Sequence, residues 1–222
     1  MKELMDNGYD FLNDYYPNET KEARKIVVRV KIDPPPNAFL RMAVRNSNVN
    51  NIAVFENLEQ VFDYDRWYSS KRNQHRMTCG SLGDFLKRIL GMGYASWTSN
   101  SSSNDNPSAE EDSFIDKQWE QPVILRFNGQ ESKVFIIVDI DNHTIFSDIK
   151  RPTESDAPDF TEVEITLPLS TQWNKQHEAL LLDRLEKYYK IYKLAKSKTD
   201  FSFVVRNEEG VRGEKEEKEE AD

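Results

Sequence analysis

Lys2-Glu3-Leu4-Met5-Asp6-Asn7-Gly8-Tyr9-Asp10-Phe11-Leu12-Asn13-Asp14-Tyr15 carries two patterns laid over one another. Leu4, Met5, Phe11, Leu12 and Tyr15 recur at helical spacing, and Pro17-Asn18 closes the run, so residues 2 to 16 are expected to form an amphipathic helix. Glu3, Asn7 and Asp10 are spaced four and three apart. Positions at that spacing share a helix face, with Cβ atoms roughly 5–6 Å apart. A carboxylate, an amide and a second carboxylate therefore line one polar strip. Such a strip suits a general base beside a hard cation, because Mg2+ prefers oxygen ligands and keeps several waters. A solvated helix face with an incidental Asn fits the same ten residues. Met1 stands barely one turn ahead of Glu3, and short helices need tertiary support, so the chain is expected to be a piece of something longer.

Outward from this helix, Ile26-Val-Val-Arg-Val-Lys-Ile32 alternates and is β-branched, Pro34-Pro-Pro-Asn37 forbids helix, and Phe39-Leu-Arg-Met-Ala-Val-Arg45 returns. Together they predict a hairpin. Asn46-Ser-Asn-Val-Asn-Asn51 follows, a stretch whose side chains bind their own main chain. A short helix is expected over Glu56 to Phe62, and Gly80-Ser-Leu-Gly-Asp84 leads into another, over about Leu82 to Leu90. Thr98 to Asp112 is rich in Ser, Asn, Asp and Glu with nothing to bury, which predicts a flexible insertion at about 98–113. Strands resume at Val123–Phe127, an Asn128-Gly129 turn, Lys133–Asp139 and Glu162–Pro168. Leu180 to Leu194 is helical in pattern, and Asn207 to Asp222 is a Glu/Lys-rich tail expected to be disordered. This order predicts an α+β fold: a two-layer α/β sandwich with helices on one face of a mostly antiparallel mixed sheet.

Composition narrows the function classes. The chain has 222 residues, 37% of them hydrophobic, enough for one good core. A net charge of −9 argues against a general nucleic-acid binder. A single cysteine, Cys79, excludes an intramolecular disulfide framework and a Cys-rich zinc site, and His75, His143 and His177 lack metal-ligand spacing. No apolar run reaches the ~18–20 residues that span a bilayer, so a cytoplasmic protein without membrane contact is expected. Neither a Gly-x-Ser-x-Gly elbow nor a Walker-type Gly-Lys-Ser/Thr is present.

Four segments, in this order, resemble motifs of the GHKL (Bergerat-fold) ATPases, and among them the topoisomerase VI B-like proteins. Glu3-Leu-Met-Asp-Asn7-Gly-Tyr-Asp10 resembles the Glu-x-x-x-Asn-x-x-Asp helix. Val44-Arg-Asn46-Ser-Asn48 stands where the family has Val-x-Asp-x-Gly, with Asn at both marked positions. Ser69-Ser70-Lys71-Arg72, followed by Gly80-Ser81-Leu82-Gly83-Asp84-Phe-Leu-Lys87, resembles the Ser-Ser-Lys segment and the Gly-rich lid that runs into a helix. Thr161-Glu-Val-Glu-Ile-Thr-Leu-Pro168 resembles the Gly-Thr-x-Val-x-Ile strand, with Phe160 in place of the Gly.

The resemblance covers about residues 1–170 and implies an ATP-binding, Mg2+-dependent ATPase domain of Bergerat fold. It implies that Glu3 activates the hydrolytic water, Asn7 ligates Mg2+ and Asp10 supports that face. Asn46 and Thr161 would face the adenine, and Asn48 would occupy the bend after the strand. Ser69, Ser70, Lys71, Gly80, Ser81, Leu82, Gly83 and Lys87 would hold the triphosphate, since glycines let backbone N–H groups approach phosphate and a helix start is electropositive. ATP binding would bring two copies together. DNA and a further protein partner, a second subunit, would engage through regions outside this chain. Residues 171–206 would hold a helix and the first strand of a following domain, at Phe201–Val205. Two other readings stay open at this point: a nucleotide-binding domain without turnover, and a protein-interaction module that keeps the sandwich.

Overall fold

The computed structural model describes residues 1–33, 39–48, 58–64, 85–101, 121–127, 129–139, 144–150, 153–154, 159–170, 172–207 and 210–213. Its centre is the expected hairpin. β1 (Lys25–Ile32) and β2 (Phe39–Ser47) pair antiparallel, from Ile26 opposite Asn46 to Ile32 opposite Leu40. On the far side of β2 lies β7 (Phe160–Pro168), with Thr161 opposite Asn46. The sheet continues through β3 (Val123–Phe127) and β4 (Gln130–Asp139) to an edge strand, β5 (Thr144–Ile149). Gly129 turns β3 into β4 at φ 69°, a left-handed backbone that glycine adopts without steric cost. The two-residue β6 (Thr153–Glu154) pairs with the start of β4. Beyond β1 come β8 (Asp200–Asn207), parallel to it, and β9 (Gly210–Gly213), antiparallel to β8. Among the described residues the sheet thus has nine strands in the order β5-β4-β3-β7-β2-β1-β8-β9, with β6 beside β4. It is mixed and mostly antiparallel.

Successive side chains of a strand point to opposite faces, so the register sorts the residues. Ile26, Val28 and Val30 share one face with Met42, Val44, Ile165, Leu125, Val134, Phe201 and Phe203, and all are buried. α1 (Lys2–Tyr15) adds Leu4, Met5, Phe11 and Leu12 to this core. α3 (Phe85–Ser101) adds Ile89 and Leu90. α2 (Leu58–Val61) meets β5, where the Ser147 hydroxyl donates to the Phe62 carbonyl at 3.0 Å. α4 (Lys175–Ala195) starts at Asn174, whose side-chain oxygen accepts from the Gln176 and His177 amides, a standard N-cap. It stacks Tyr189 on Phe203 at 5.3 Å between centroids and donates the Tyr189 hydroxyl to the Phe201 carbonyl at 2.6 Å. Each fully buried Leu, Val or Phe contributes roughly 1.5–3 kcal/mol relative to exposure, so this one face carries most of the apolar stabilisation.

The opposite face of β1, β2, β7 and β3 is held by charge. Arg29, Arg45 and Arg126 converge on Glu162, which has no exposed surface; Arg45 and Arg126 approach it at 2.9 and 2.6 Å. Arg126 also reaches Glu164 and Glu131, both at 2.7 Å. Arg45 lies over the Phe160 ring, 3.3 Å from its centroid.

The C-terminal end of α1 is closed by a residue from outside it. Buried Arg24 donates to the Leu12 and Tyr16 carbonyls at 3.3 and 2.6 Å and also to the Asn13 side chain. A cation there adds a donor to the Leu12 carbonyl, which also accepts from the Tyr16 amide, and complements the helix dipole.

Some elements depart from the sequence pattern. α3 runs on to Ser101 rather than ending near Leu90, so the first residues of the expected insertion are helical. The half-buried Tyr94 of its extended part packs against the core. β5 is absent from the sequence reading because its short run alternates only weakly; pairing with β4 supplies it. Phe201–Val205, expected to begin another domain, lies within β8 beside β1 in the same sheet. Gly210–Gly213, expected to be disordered, forms β9; 214–222 lies outside the described residues.

Candidate functional site

Gly8 of α1, beside Asn7, lies against Asn46 of β2 and Ile26 of β1. A Cβ there would lie 3.5 Å from Asn46 Cβ and Oδ1 and 3.6 Å from Ile26 Cδ1, which is ordinary contact. Alanine therefore fits and a longer side chain does not. Gly8→Ala is expected to stabilise the fold by up to about 1 kcal/mol, through helix propensity, whereas Gly8→Leu lifts α1 from β2 and destabilises it. Urea unfolding of the two variants checks this; equal losses for both would contradict the seating of α1.

Beyond Gly8, three elements meet. Asn46 is buried near the end of β2, and its amide donates to the Ser47 carbonyl at 3.2 Å. Asn48 has no exposed surface. Its backbone N–H donates to the Asp159 carbonyl at 2.9 Å, and its side-chain amide donates to Thr161 Oγ1 at 3.1 Å. Its side-chain oxygen accepts from the Tyr16 hydroxyl at 3.4 Å. Thr161 is likewise buried. Hydrogen bonds thus join the segment after α1 to the residue after β2 and to the start of β7, bringing together Asn48 and Thr161, two positions singled out by sequence.

Glu3, Asn7 and Asp10 lie on α1 as expected. The Glu3 side chain is 35% exposed and stands 3.4 Å from Lys2 Nζ, while Asp10 is buried. Asp6, which sequence reasoning passed over, is buried too. It accepts from the Tyr192 hydroxyl of α4 and pairs with Lys2, tying α1 to α4. Its signal in the sequence was Lys2 and Asp10, each four residues away. Tyr16 and Arg24 carried no such signal, because their partners are set by tertiary packing.

Lys87 is buried on α3, and its ammonium donates to the Asp63 carbonyl after α2. The Tyr64 hydroxyl donates to the Lys87 carbonyl at 3.2 Å, and burial pushes that hydroxyl up to about 12. Lys87 therefore joins α3 to α2 in this structure. Ser69, Ser70, Lys71, Gly80, Ser81, Leu82 and Gly83 lie outside the described residues. α3 begins at Phe85, directly after that glycine-bearing segment.

Among the described residues no three His, Cys, Asp or Glu side chains gather as a metal cage. Among the described residues no helix is long and apolar enough to cross a membrane. The chain matches no family model and no curated protein.

Proposed function

We propose that this chain is an ATP-binding, Mg2+-dependent ATPase module of Bergerat fold, a two-layer α/β sandwich of the topoisomerase VI B-like kind. The observation that carries the reading is the meeting of α1 with the ends of β2 and β7: Gly8 against Asn46, and Asn48 bonded to Thr161. These segments resemble the family's nucleotide motifs by sequence, and they are far apart along the chain. Their convergence supports a common site.

In this reading Asn7 offers its side-chain oxygen to Mg2+, which when bound neutralises phosphate charge. Glu3, half-exposed on the same helix, accepts a proton from the attacking water. Asn46 and Thr161 lie at the adenine end, and the segment 69–83 holds the triphosphate, while Lys87 ties α3 to α2. ATP binding favours association of two copies, and hydrolysis reverses it. The test is equilibrium dialysis of labelled ATP with Mg2+. One saturable site is expected, weakened about tenfold or more by Asn7→Ala, since a charge-assisted contact is worth ~1.5–3 kcal/mol. Absence of saturable uptake at millimolar ATP contradicts the reading.

One observation favours a second reading, a protein-interaction module without nucleotide. Asn48 and Thr161 satisfy each other, and Asn48 is closed to solvent. A site of that kind gives no uptake of ATP in the same dialysis.

A further inference from the structure

Among the described residues β5 is the outermost strand on its side of the sheet, with β4 as its partner. Its register fixes which backbone groups point outward. The Lys150 amide donates to the Lys133 carbonyl at 2.9 Å, which makes that opposed pair a hydrogen-bonded one. Hydrogen-bonded and non-hydrogen-bonded pairs alternate in an antiparallel ladder. Thr144, Phe146 and Asp148 therefore turn their backbone groups toward β4, and Ile145, Ser147 and Ile149 turn theirs to the open edge.

Among the described residues no further strand pairs with this edge. It carries no Pro and no Lys within the strand, and its one acidic residue, Asp148, is paired to Lys150. Ile145 and Phe146 are each 48% exposed, on opposite faces of the sheet. Phe135 and Ile137 of β4 continue the Phe146 face and are only partly buried. Edge backbone and apolar side chains thus coincide.

We propose that β5 pairs antiparallel with β5 of a second copy, about a two-fold axis through Ser147, and that it does so without nucleotide. The strand's own sequence selects this occupant. Outward-facing residues must oppose outward-facing residues, so Ser147 faces Ser147 and Ile145 faces Ile149 of the second copy. On the side facing the helices, this covers the exposed Ile145 with an Ile. On the other side, Phe146 opposes Asp148 and Thr144 opposes Lys150, so no like charges stand directly opposite. The two Phe146 rings become diagonal neighbours, within reach of aromatic side chains. The pairing joins two sheets into one by main-chain hydrogen bonds, the mode of strand addition.

Sedimentation of the full chain without nucleotide, over rising concentration, tests this. The mass is expected to move from 26.0 kDa toward twice that. Ile145→Lys is expected to hold it at the monomer, and Leu194→Lys, at an exposed position on α4, to leave the dimer intact. A second measurement depends on register alone. In a chain with Cys79→Ser, Ser147→Cys faces its copy across a hydrogen-bonded pair, with Cα atoms ~5.5 Å apart, inside the disulfide range. Ile145→Cys is four residues from its copy, ~13 Å. Oxidation is expected to link the first and not the second. A monomer at every concentration, a dimer that needs ATP, a dimer lost in Leu194→Lys, or equal linking of both cysteine variants overturns the proposal.

Discussion

Glu3→Gln is expected to bind ATP like the parent and to lose turnover by about 10²- to 10⁴-fold, the range supplied by a positioned acid or base. The amide keeps the shape of the carboxylate and cannot take a proton from water. The fold tolerates the change, because the Glu3 side chain is 35% exposed and its neighbour is the surface ammonium of Lys2. Phosphate release at saturating ATP and Mg2+, with binding measured in parallel, reads the two effects separately. Turnover equal to the parent's removes Glu3 from the chemistry. A parent that binds ATP without releasing phosphate selects the reading in which nucleotide acts only as a conformational ligand.

Glu162→Gln is expected to cost about 3–5 kcal/mol of folding stability at neutral pH, the usual loss when one member of a buried charge cluster is removed. Glu162 is fully buried with Arg29, Arg45 and Arg126 on it, and the amide leaves those guanidinium groups without their shared counter-charge. The cluster also fixes a pH dependence. Burial opposes ionisation of Glu162, but the charges of Arg29 and Arg45 together with hydrogen bonds from Arg45 and Arg126 outweigh it, holding the carboxyl below its ordinary range. A carboxyl lowered in the folded state stabilises fully above its unfolded value, about 4.3. That contribution fades as pH falls through the folded value. The gap between parent and variant should therefore be widest near neutrality and narrow in acid. Urea unfolding at a series of pH values measures it; a gap that is absent at pH 7, or that widens in acid, contradicts the assignment.

The central hairpin was legible because β1 is rich in β-branched residues alternating with Arg29 and Lys31, and β2 interleaves Leu40, Met42 and Val44 with Arg41 and Arg45, on either side of the intervening prolines. β7 was legible for the same reason. The edges were not: β5 and β9 are short, and the sheet rather than local pattern stabilises them. β8 was seen as a strand, but its parallel place beside β1 depends on a crossover connection, which α4 provides, and local sequence carries no mark of it. At the candidate site, the carboxylates and amide of α1 followed from helical spacing alone. The bond from Asn48 to Thr161 did not, since it links positions 113 residues apart and depends on how β2 and β7 align. The same holds for Arg45, Arg126 and Glu162, which look like ordinary surface charges until the register sets them side by side.

The most direct measurement is a thermal melt of the parent, Asn7→Ala and Gly83→Val chains, titrated with ATP and Mg2+. A nucleotide site built from α1, the ends of β2 and β7, and the glycine segment predicts that the parent is stabilised by about 2.7 kcal/mol at one hundred times the dissociation constant. It also predicts that both variants fold and respond far less. A parent whose melting temperature does not move with ATP–Mg2+, or variants that respond as fully as the parent, would contradict it.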